Sequence, residues 1–223
     1  MVKKEPVLKI FSIFPSIAGE VNCYHQGHLC TFIRFSGCQL NCNYCDTRYA
    51  LSATSGKEMS ISEIIKEVKA IGIPKVTITG GEPLMQFDGF LELTRSLYMS
   101  NFQIVVETNG SFPCNGYGVD CWVVDYKLPS SGCMDKMTPT AFSKLRASDF
   151  VKFVIMDRTD YLEALNVKEW IQDDIGSSCQ FAFSPVYGTL DPNTLIKWLM
   201  EDRIFDAIIN AQLHKLLKLK EEK

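Results

Sequence analysis

Short runs of β-branched and aromatic residues recur along the chain, and apolar positions repeat at helical spacing between them. Val7 to Phe14 and Thr31 to Phe35 read as strands, and Pro15-Ser16-Ile17-Ala18-Gly19-Glu20 follows the first as a turn-like stretch. Lys75 to Thr79, Phe102 to Glu107, Cys121 to Asp125, Phe150 to Met156, Gln180 to Phe183 and Phe205 to Ile209 are further apolar runs of strand length. Ser60 and Glu63 fit a capping box, and Ile61, Ile64, Ile65, Val68 and Ile71 form one apolar helical face that stops near Gly72-Ile73-Pro74. Phe87 to Met99 predicts a second helix, and the segments around Pro139 to Ala147, Tyr161 to Trp170 and Pro192 to Met200 carry helical patterns as well.

Strands that alternate with helices imply parallel strands joined by right-handed crossovers. About seven core strands follow the first, but the link from Thr108 to Val119 is loop-like, so a full eight-unit barrel lacks its elements. The expected fold class is α/β: a partial, irregular (β/α) barrel with mostly parallel strands. Residues 1–223 form one expected domain, with an N-terminal strand and a short charged tail from Lys218 to Lys223. In such sheets the chemistry sits where parallel strands end. The unusual residues gather at those ends: the loop after Phe35, Gly80 to Pro83, Glu107-Thr108-Asn109-Gly110, Asp125-Tyr126-Lys127, Ser184-Pro185 and Asn210.

A net charge of −3 gives no broad electrostatic footprint for nucleic acid or an anionic membrane, which leaves a small molecule or a protein as partner. Nine cysteines, an odd number, imply a reducing compartment and a cytoplasmic protein. The start is basic and then apolar, but Lys9 and Pro15 interrupt it, so it reads as a first strand rather than a leader, and no run is long enough to span a bilayer.

Three of the cysteines stand together in Gly37-Cys38-Gln39-Leu40-Asn41-Cys42-Asn43-Tyr44-Cys45-Asp46-Thr47. Three thiolates make a soft anionic pocket suited to an iron-sulfur cluster or to zinc, and free cysteines also serve as small buried hydrophobes. Zinc needs further ligands, and only His25 and His28 lie close in sequence. On a four-iron cluster, three protein thiolates leave one iron open to an outside molecule. Downstream, Gly80-Gly81-Glu82-Pro83 follows a strand directly. Its glycines let the backbone turn sharply and press amide and carbonyl groups on a ligand, and Glu82 offers an acceptor for an ammonium group; a tight turn alone explains the same residues.

The cysteine spacing, with an aromatic residue before the last, resembles the signature of the radical S-adenosylmethionine (SAM) enzymes, and the Gly-Gly-Glu-Pro loop is similar to their SAM-binding loop. Ser16 to Glu20, Arg34, Asp46-Thr47, Thr79 to Pro83, Glu107 to Gly110, Lys127-Leu128-Pro129-Ser130-Ser131 and Gln212-Leu213-His214-Lys215 occur in this order. Together they resemble the 7-carboxy-7-deazaguanine synthase family of the queuosine and deazapurine pathway, from about Phe11 to Leu217. The resemblance implies rearrangement of 6-carboxy-5,6,7,8-tetrahydropterin to 7-carboxy-7-deazaguanine with loss of ammonia. It also implies a 4Fe-4S cluster, SAM used catalytically, magnesium, a homodimer, and an electron donor such as flavodoxin or ferredoxin.

By position, the resemblance makes Cys38, Cys42 and Cys45 the cluster ligands, and Thr47 a magnesium ligand. Tyr44, Cys45, Asp46, Gly81, Glu82, Asp125, Tyr126 and Lys127 fall at the SAM site, with Tyr44 against adenine. Ile17, Ala18, Gly19, Arg34 and Thr79 fall at the pterin, with Arg34 on its carboxylate, a task that suits a planar guanidinium. For Arg34 a structural ion pair, and for Thr47 a helix cap, are the competing roles. The chain departs from the family in three places. Ala18-Gly19-Glu20-Val21 stands where Gln-Gly-Glu-Gly is common, Asp125-Tyr126-Lys127 stands where Ser-Pro-Lys is frequent, and the tail offers no terminal proline. An activase for a glycyl radical enzyme and a noncatalytic zinc or iron-sulfur protein are the alternative readings.

Overall fold

The computed structural model describes residues 5–219; residues 1–4, and the charged tail from residue 220 onward, lie outside the described residues. Its strands are β1 (Val7–Ile17), β2 (Leu29–Phe35), β3 (Lys57–Ser60), β4 (Lys75–Gly80), β5 (Gln103–Thr108), β6 (Cys121–Tyr126), β7 (Phe150–Ile155), β8 (Gln180–Pro185) and β9 (Ile208–Ile209). Its helices are α1 (Ile61–Ile71), α2 (Phe87–Met99), α3 (Arg158–Glu169), α4 (Pro192–Glu201) and α5 (Leu213–Leu216). All strands join one sheet in the order β3-β1-β2-β4-β5-β6-β7-β8-β9. From β2 to β9 every pairing is parallel, while β1 runs antiparallel to both β2 and β3. The sheet does not close on itself, as expected of a partial barrel.

The pleat sends alternate side chains to opposite faces. On the outer face Ile33, Phe35, Ile78, Val106, Val124, Phe153 and Phe183 are buried with α1 and α2 residues such as Ile64, Phe90, Leu93 and Leu97 in the main core. α1 begins with the complete capping box, Ser60 and Glu63 each bonding the other's backbone, and Gly72 ends it in the left-handed conformation. That φ of 78° is the reason a glycine stands there. A second, smaller cluster plugs the bore from the start of the strands: Val21 packs with Val105, Cys121, Val123 and Ala182, and Cys23 and Tyr24 lie against them.

The structure corrects four expectations about elements. β1 continues through Pro15, Ser16 and Ile17, which pair with Thr31, Cys30 and Leu29. β3 covers only Val7 to Ile10, so at Pro15 the opposite edge is open and the missing N–H costs no ladder bond. β3 itself is polar and short, with no apolar run to announce it. Pro139 to Ala147 is not a helix but a single 3-10 turn, Pro139–Ala141, with Ala141 and Phe142 sunk into the core. The last strand is only Ile208–Ile209, and Phe205 is exposed. Among the described residues no helix is long and apolar enough to cross a membrane.

Ser60→Ala removes one cap and is expected to cost about 1 kcal/mol of stability, whereas Ile64→Ala, which empties a fully buried position, is expected to cost about 2–5 kcal/mol. Urea melts of the metal-free protein under reducing conditions measure both; equal losses would contradict the dominance of outer-face packing.

Candidate active site

The inner face of the sheet carries the chemistry. Phe32 and Arg34 from β2, Thr79 from β4, Glu107 from β5, Val123 and Asp125 from β6 and Lys152 and Val154 from β7 line one cavity of about 330 Å³. The cysteine loop contributes Cys38, Cys42, Tyr44, Cys45, Asp46 and Thr47 at the strand ends, and Gln212, His214 and Lys215 close it from the C-terminal segment.

Backbone bonds fasten the start of the cysteine loop to its neighbours. Glu82 N–H donates to the Gly37 carbonyl at 2.8 Å, Gly81 N–H to Phe35 at 2.9 Å, and Gly37 N–H to Ala50 at 2.8 Å. A Cβ on Gly81 would collide with the Gly37 carbonyl, and one on Gly80, at φ 132°, with Phe35 backbone; the two glycines are therefore required by close approach. Glu82 is fully buried. Its carboxylate accepts from Leu84 N–H at 3.0 Å, Thr108 Oγ1 at 2.8 Å and Asn109 N–H at 2.7 Å, which binds the end of β4 to the end of β5. Burial pushes its pKa up, against those three hydrogen bonds. Glu82 thus acts here as a tie between loops, and it does not line the cavity.

The three thiols share the cavity wall, and Asn109 Nδ2 lies 3.6 Å from Cys38 Sγ. Among the described residues no three His, Cys, Asp or Glu side chains converge on a point that one metal ion would occupy. His25 and His28, the other ligands a zinc site would need, are outside the cavity, with His28 Nδ1 2.7 Å from the His25 carbonyl. Burial raises the Cys42 thiol to about 12. In that state it is a poor nucleophile, and a metal that displaces its proton makes it a ligand.

Arg34 lies between two rings, 5.7 Å from the Phe14 centroid and 5.6 Å from that of Tyr49. Its Nη1 reaches Thr47 Oγ1 at 3.5 Å, and its buried Nε has no hydrogen-bond partner. Among the described residues it makes no ion pair within 4 Å, so the structural-pair role falls away. Thr47 precedes the turn Arg48–Ala50 but its hydroxyl makes no cap bond; it donates instead to Asp46 Oδ1 at 3.0 Å. Lys215 Nζ reaches Asp46 Oδ2 at 2.7 Å. Against the desolvation of partial burial, the Lys215 charge and hydrogen bond draw Asp46 down to about 2. Asp46 is about half exposed, at 45%, so this pair contributes little stability.

Of the remaining expected residues, Ile17, Gly19, Tyr44, Thr79, Gly81, Asp125 and Lys127 line the cavity. Ala18 does not: its N–H bonds the His28 carbonyl at 2.9 Å and its carbonyl accepts from Gly27 at 2.8 Å. Tyr126 does not either. It is one residue from Asp125 on β6, so the pleat turns it outward onto Phe142 and Phe153. Like Arg34 Nε, the Tyr44 hydroxyl and Asp125 Oδ1 are buried polar atoms at this cavity without partners, which suits a polar ligand.

Sequence reading assigned no role to Lys152. Its Nζ lies 3.2 Å from Glu20 Oε2 and 3.3 Å from Asp125 Oδ2, and Lys127 Nζ lies 3.1 Å from the same Asp125 oxygen. Burial opposes the charge on Lys152, yet Asp125, Glu20 and Glu107 hold its pKa well above the usual value. The signal was a lysine inside the apolar run Phe150-Val151-Lys152-Phe153-Val154. Glu20 also accepts from Gln212 Nε2 at 2.9 Å and from Asn210 Nδ2, which brings the C-terminal segment to the bore.

Residues 32–113 match the Radical SAM superfamily model. The chain is 34% identical over 215 residues to 7-carboxy-7-deazaguanine synthase of Clostridium acetobutylicum, covering 94% of this chain and 95% of that protein. It is 36% identical over 218 residues to the enzyme of the same name from Chlorobaculum tepidum, covering 96% and 95%. The crystal structure of QueE from Escherichia coli superposes with a TM-score of 0.73 at 20% identity, over 92% of this chain and 94% of that one, a likeness of fold.

Burial, and then the charge of Glu20, lift the Glu107 carboxyl to about 7, against Lys152, the 2.9 Å hydrogen bond from Thr79 Oγ1, and Arg34. The folded chain therefore holds this proton more tightly than the unfolded chain, so the protonated group stabilises the fold fully below about 4.5 and loses that contribution as pH rises through about 7. In thermal melts of the metal-free protein, Glu107→Gln is expected to flatten the fall in Tm across this window; parallel pH profiles for the two proteins would contradict the assignment.

Proposed function

Because the chain belongs to the 7-carboxy-7-deazaguanine synthase family of radical SAM enzymes, we propose that it converts 6-carboxy-5,6,7,8-tetrahydropterin to 7-carboxy-7-deazaguanine with release of ammonia. The observation that carries the assignment of substrate is Arg34. It is a guanidinium stacked between rings, with an unpartnered Nε and, among the described residues, no carboxylate paired to it, at a cavity whose other wall carries three thiols. A carboxylate on the substrate completes that arrangement.

The donor set fits the family's cofactors. Cys38, Cys42 and Cys45 would hold the cluster, and three thiolates leave a fourth iron for SAM. Gly81 and the unpartnered groups of Tyr44 and Asp125 border the adjoining space. When bound, the cluster and SAM supply one-electron reduction and abstraction of a hydrogen atom. The chain's own residues bind, orient and exclude water. Arg34 holds the substrate carboxylate, and Thr79 and Glu107 face the same space from adjacent strands. Thr47, its hydroxyl oriented by Asp46, would give magnesium one ligand while substrate and water supply the others. Phe14 and Phe32 stack at 5.3 Å and form an apolar wall.

The single sheet supports reading the chain as one domain. A homodimer and a small redox protein as electron donor belong to the same proposal. Exposed Ile196, Met200 and Phe205 offer apolar surface that a second copy would cover.

The test is an anaerobic assay of the reconstituted, reduced protein with SAM, magnesium and 6-carboxytetrahydropterin, following carboxydeazaguanine by mass spectrometry together with free ammonia. Both products are expected, and Cys42→Ala is expected to abolish them. Arg34→Lys, which loses the fork but keeps the charge, is expected to lower kcat/KM by about tenfold to a hundredfold, or about 1.4–2.7 kcal/mol. SAM cleavage without either product would refute the substrate while leaving the radical chemistry.

A further inference from the structure

Six cysteines lie outside the triplet, and one of them reaches it. Cys133, on the loop after β6, is 7% exposed and packs with Leu40 and Cys42, with Cys38, Cys45 and Met137 at the border of the same cluster. Its side chain is buried against that of Cys42 in this cluster. Cys42 faces the cavity, whereas Cys133 stands behind it and contributes nothing to the lining.

The contact is held from both sides. Cys133 N–H donates to Ser131 Oγ at 3.0 Å, and the Ser131 hydroxyl donates to the Leu128 carbonyl at 2.6 Å. Across the gap, Asn43 N–H bonds the Ser131 carbonyl at 3.0 Å and Asn43 Nδ2 bonds the Ser130 carbonyl at 3.0 Å. Asn43 is the neighbour of Cys42 in the chain, so these bonds fix the loop of Cys133 against the loop of Cys42. Gly132, at φ 71°, lies close under the Asn43 side chain.

We propose that Cys133 is a positioning residue that donates its S–H to the Cys42 sulfur when Cys42 ligates the cluster, and thereby raises the cluster's reduction potential. The inference rests on the reading of Cys38, Cys42 and Cys45 as the ligands. The physical argument is electrostatic. A reduced cluster carries one more negative charge than an oxidised one, so a donor aimed at a ligand sulfur favours the reduced form. In a buried apolar setting such a bond is screened less than in water. The same arrangement gives Cys42 a fixed sulfur position behind the open wall.

The experiment compares wild type with Cys133→Ala, Cys133→Val and Cys133→Ser after anaerobic reconstitution. Iron content, the EPR spectrum of the reduced protein with and without SAM, and an EPR-monitored redox titration are measured. All four proteins are expected to keep the same iron content and a SAM-sensitive spectrum. Ala and Val, which cannot donate, are expected to make reduction up to about tenfold less favourable, a shift of up to about 59 mV to more negative potential for a one-electron couple. Ser, which donates, is expected to restore most of that shift. Unchanged potentials in both Ala and Val, or a Ser variant that tracks them, would overturn the proposal. Iron lost from Ala, Val and Ser alike would overturn it too, by making Cys133 a ligand. A wild-type spectrum indifferent to SAM would instead overturn the cluster reading and this inference with it.

Discussion

The pleat of one curved, open sheet is the constraint on which the rest of the structure depends. Each strand of the parallel run β2-β4-β5-β6-β7-β8 must satisfy an apolar outer layer against the helices with one set of alternate residues. The other set is then free to be polar, provided that buried charges are paired. The bore meets this condition with Lys152 set between Glu20 and Asp125, and with Lys127 on Asp125. Such pairs add little net stability, because desolvation offsets much of the attraction. Their consequence is positional: they hold charged groups in fixed places around a cavity, where Arg34, Tyr44 and Asp125 still present unpartnered polar atoms.

Loops at the rim are coupled by buried backbone bonds, and Glu82 is the junction. It accepts from Leu84, Thr108 and Asn109, while its own N–H holds the Gly37 carbonyl. The ends of β2, β4 and β5 are therefore set relative to one another before any ligand is present. Asn109, placed by this tie, points its amide at Cys38. Radical chemistry depends on such preorganisation, since the protein's task is to fix a substrate hydrogen near the reacting group rather than to supply acid or base.

The opposite end of the bore is made by segments far apart in sequence. Val21 and Cys23 from the connection after β1 plug the strand starts. Asn210 accepts from Val21 N–H at 2.9 Å and from Gln26 Nε2 at 2.8 Å, and Gln212 reaches Glu20. The C-terminal segment thus closes the cavity and, through Lys215 and Asp46, touches the cysteine loop on the far rim. Floor, wall and rim share one connected set of polar contacts.

Features with a local cause were legible in the sequence. The capping box of α1, the apolar faces of α1 and α2, the parallel sense of the core strands and the cysteine triplet all follow from residues close together in the chain or from the alternation of strands with helices. So did most of the cavity lining, because it hangs on the ends of predicted strands. Tertiary structure decided the matters that depend on register and on distant partners. The pleat placed Asp125 inside and Tyr126 outside, although the two are adjacent. Glu82 turned inward to Thr108 and Asn109 and is absent from the cavity lining, and Ala18 spent its backbone groups on His28 and Gly27. Lys152 acquired Glu20 and Asp125, and Cys133 came to rest behind Cys42, through contacts that no local pattern encodes. Periodicity specifies which residues share a face; only the folded sheet specifies what that face meets.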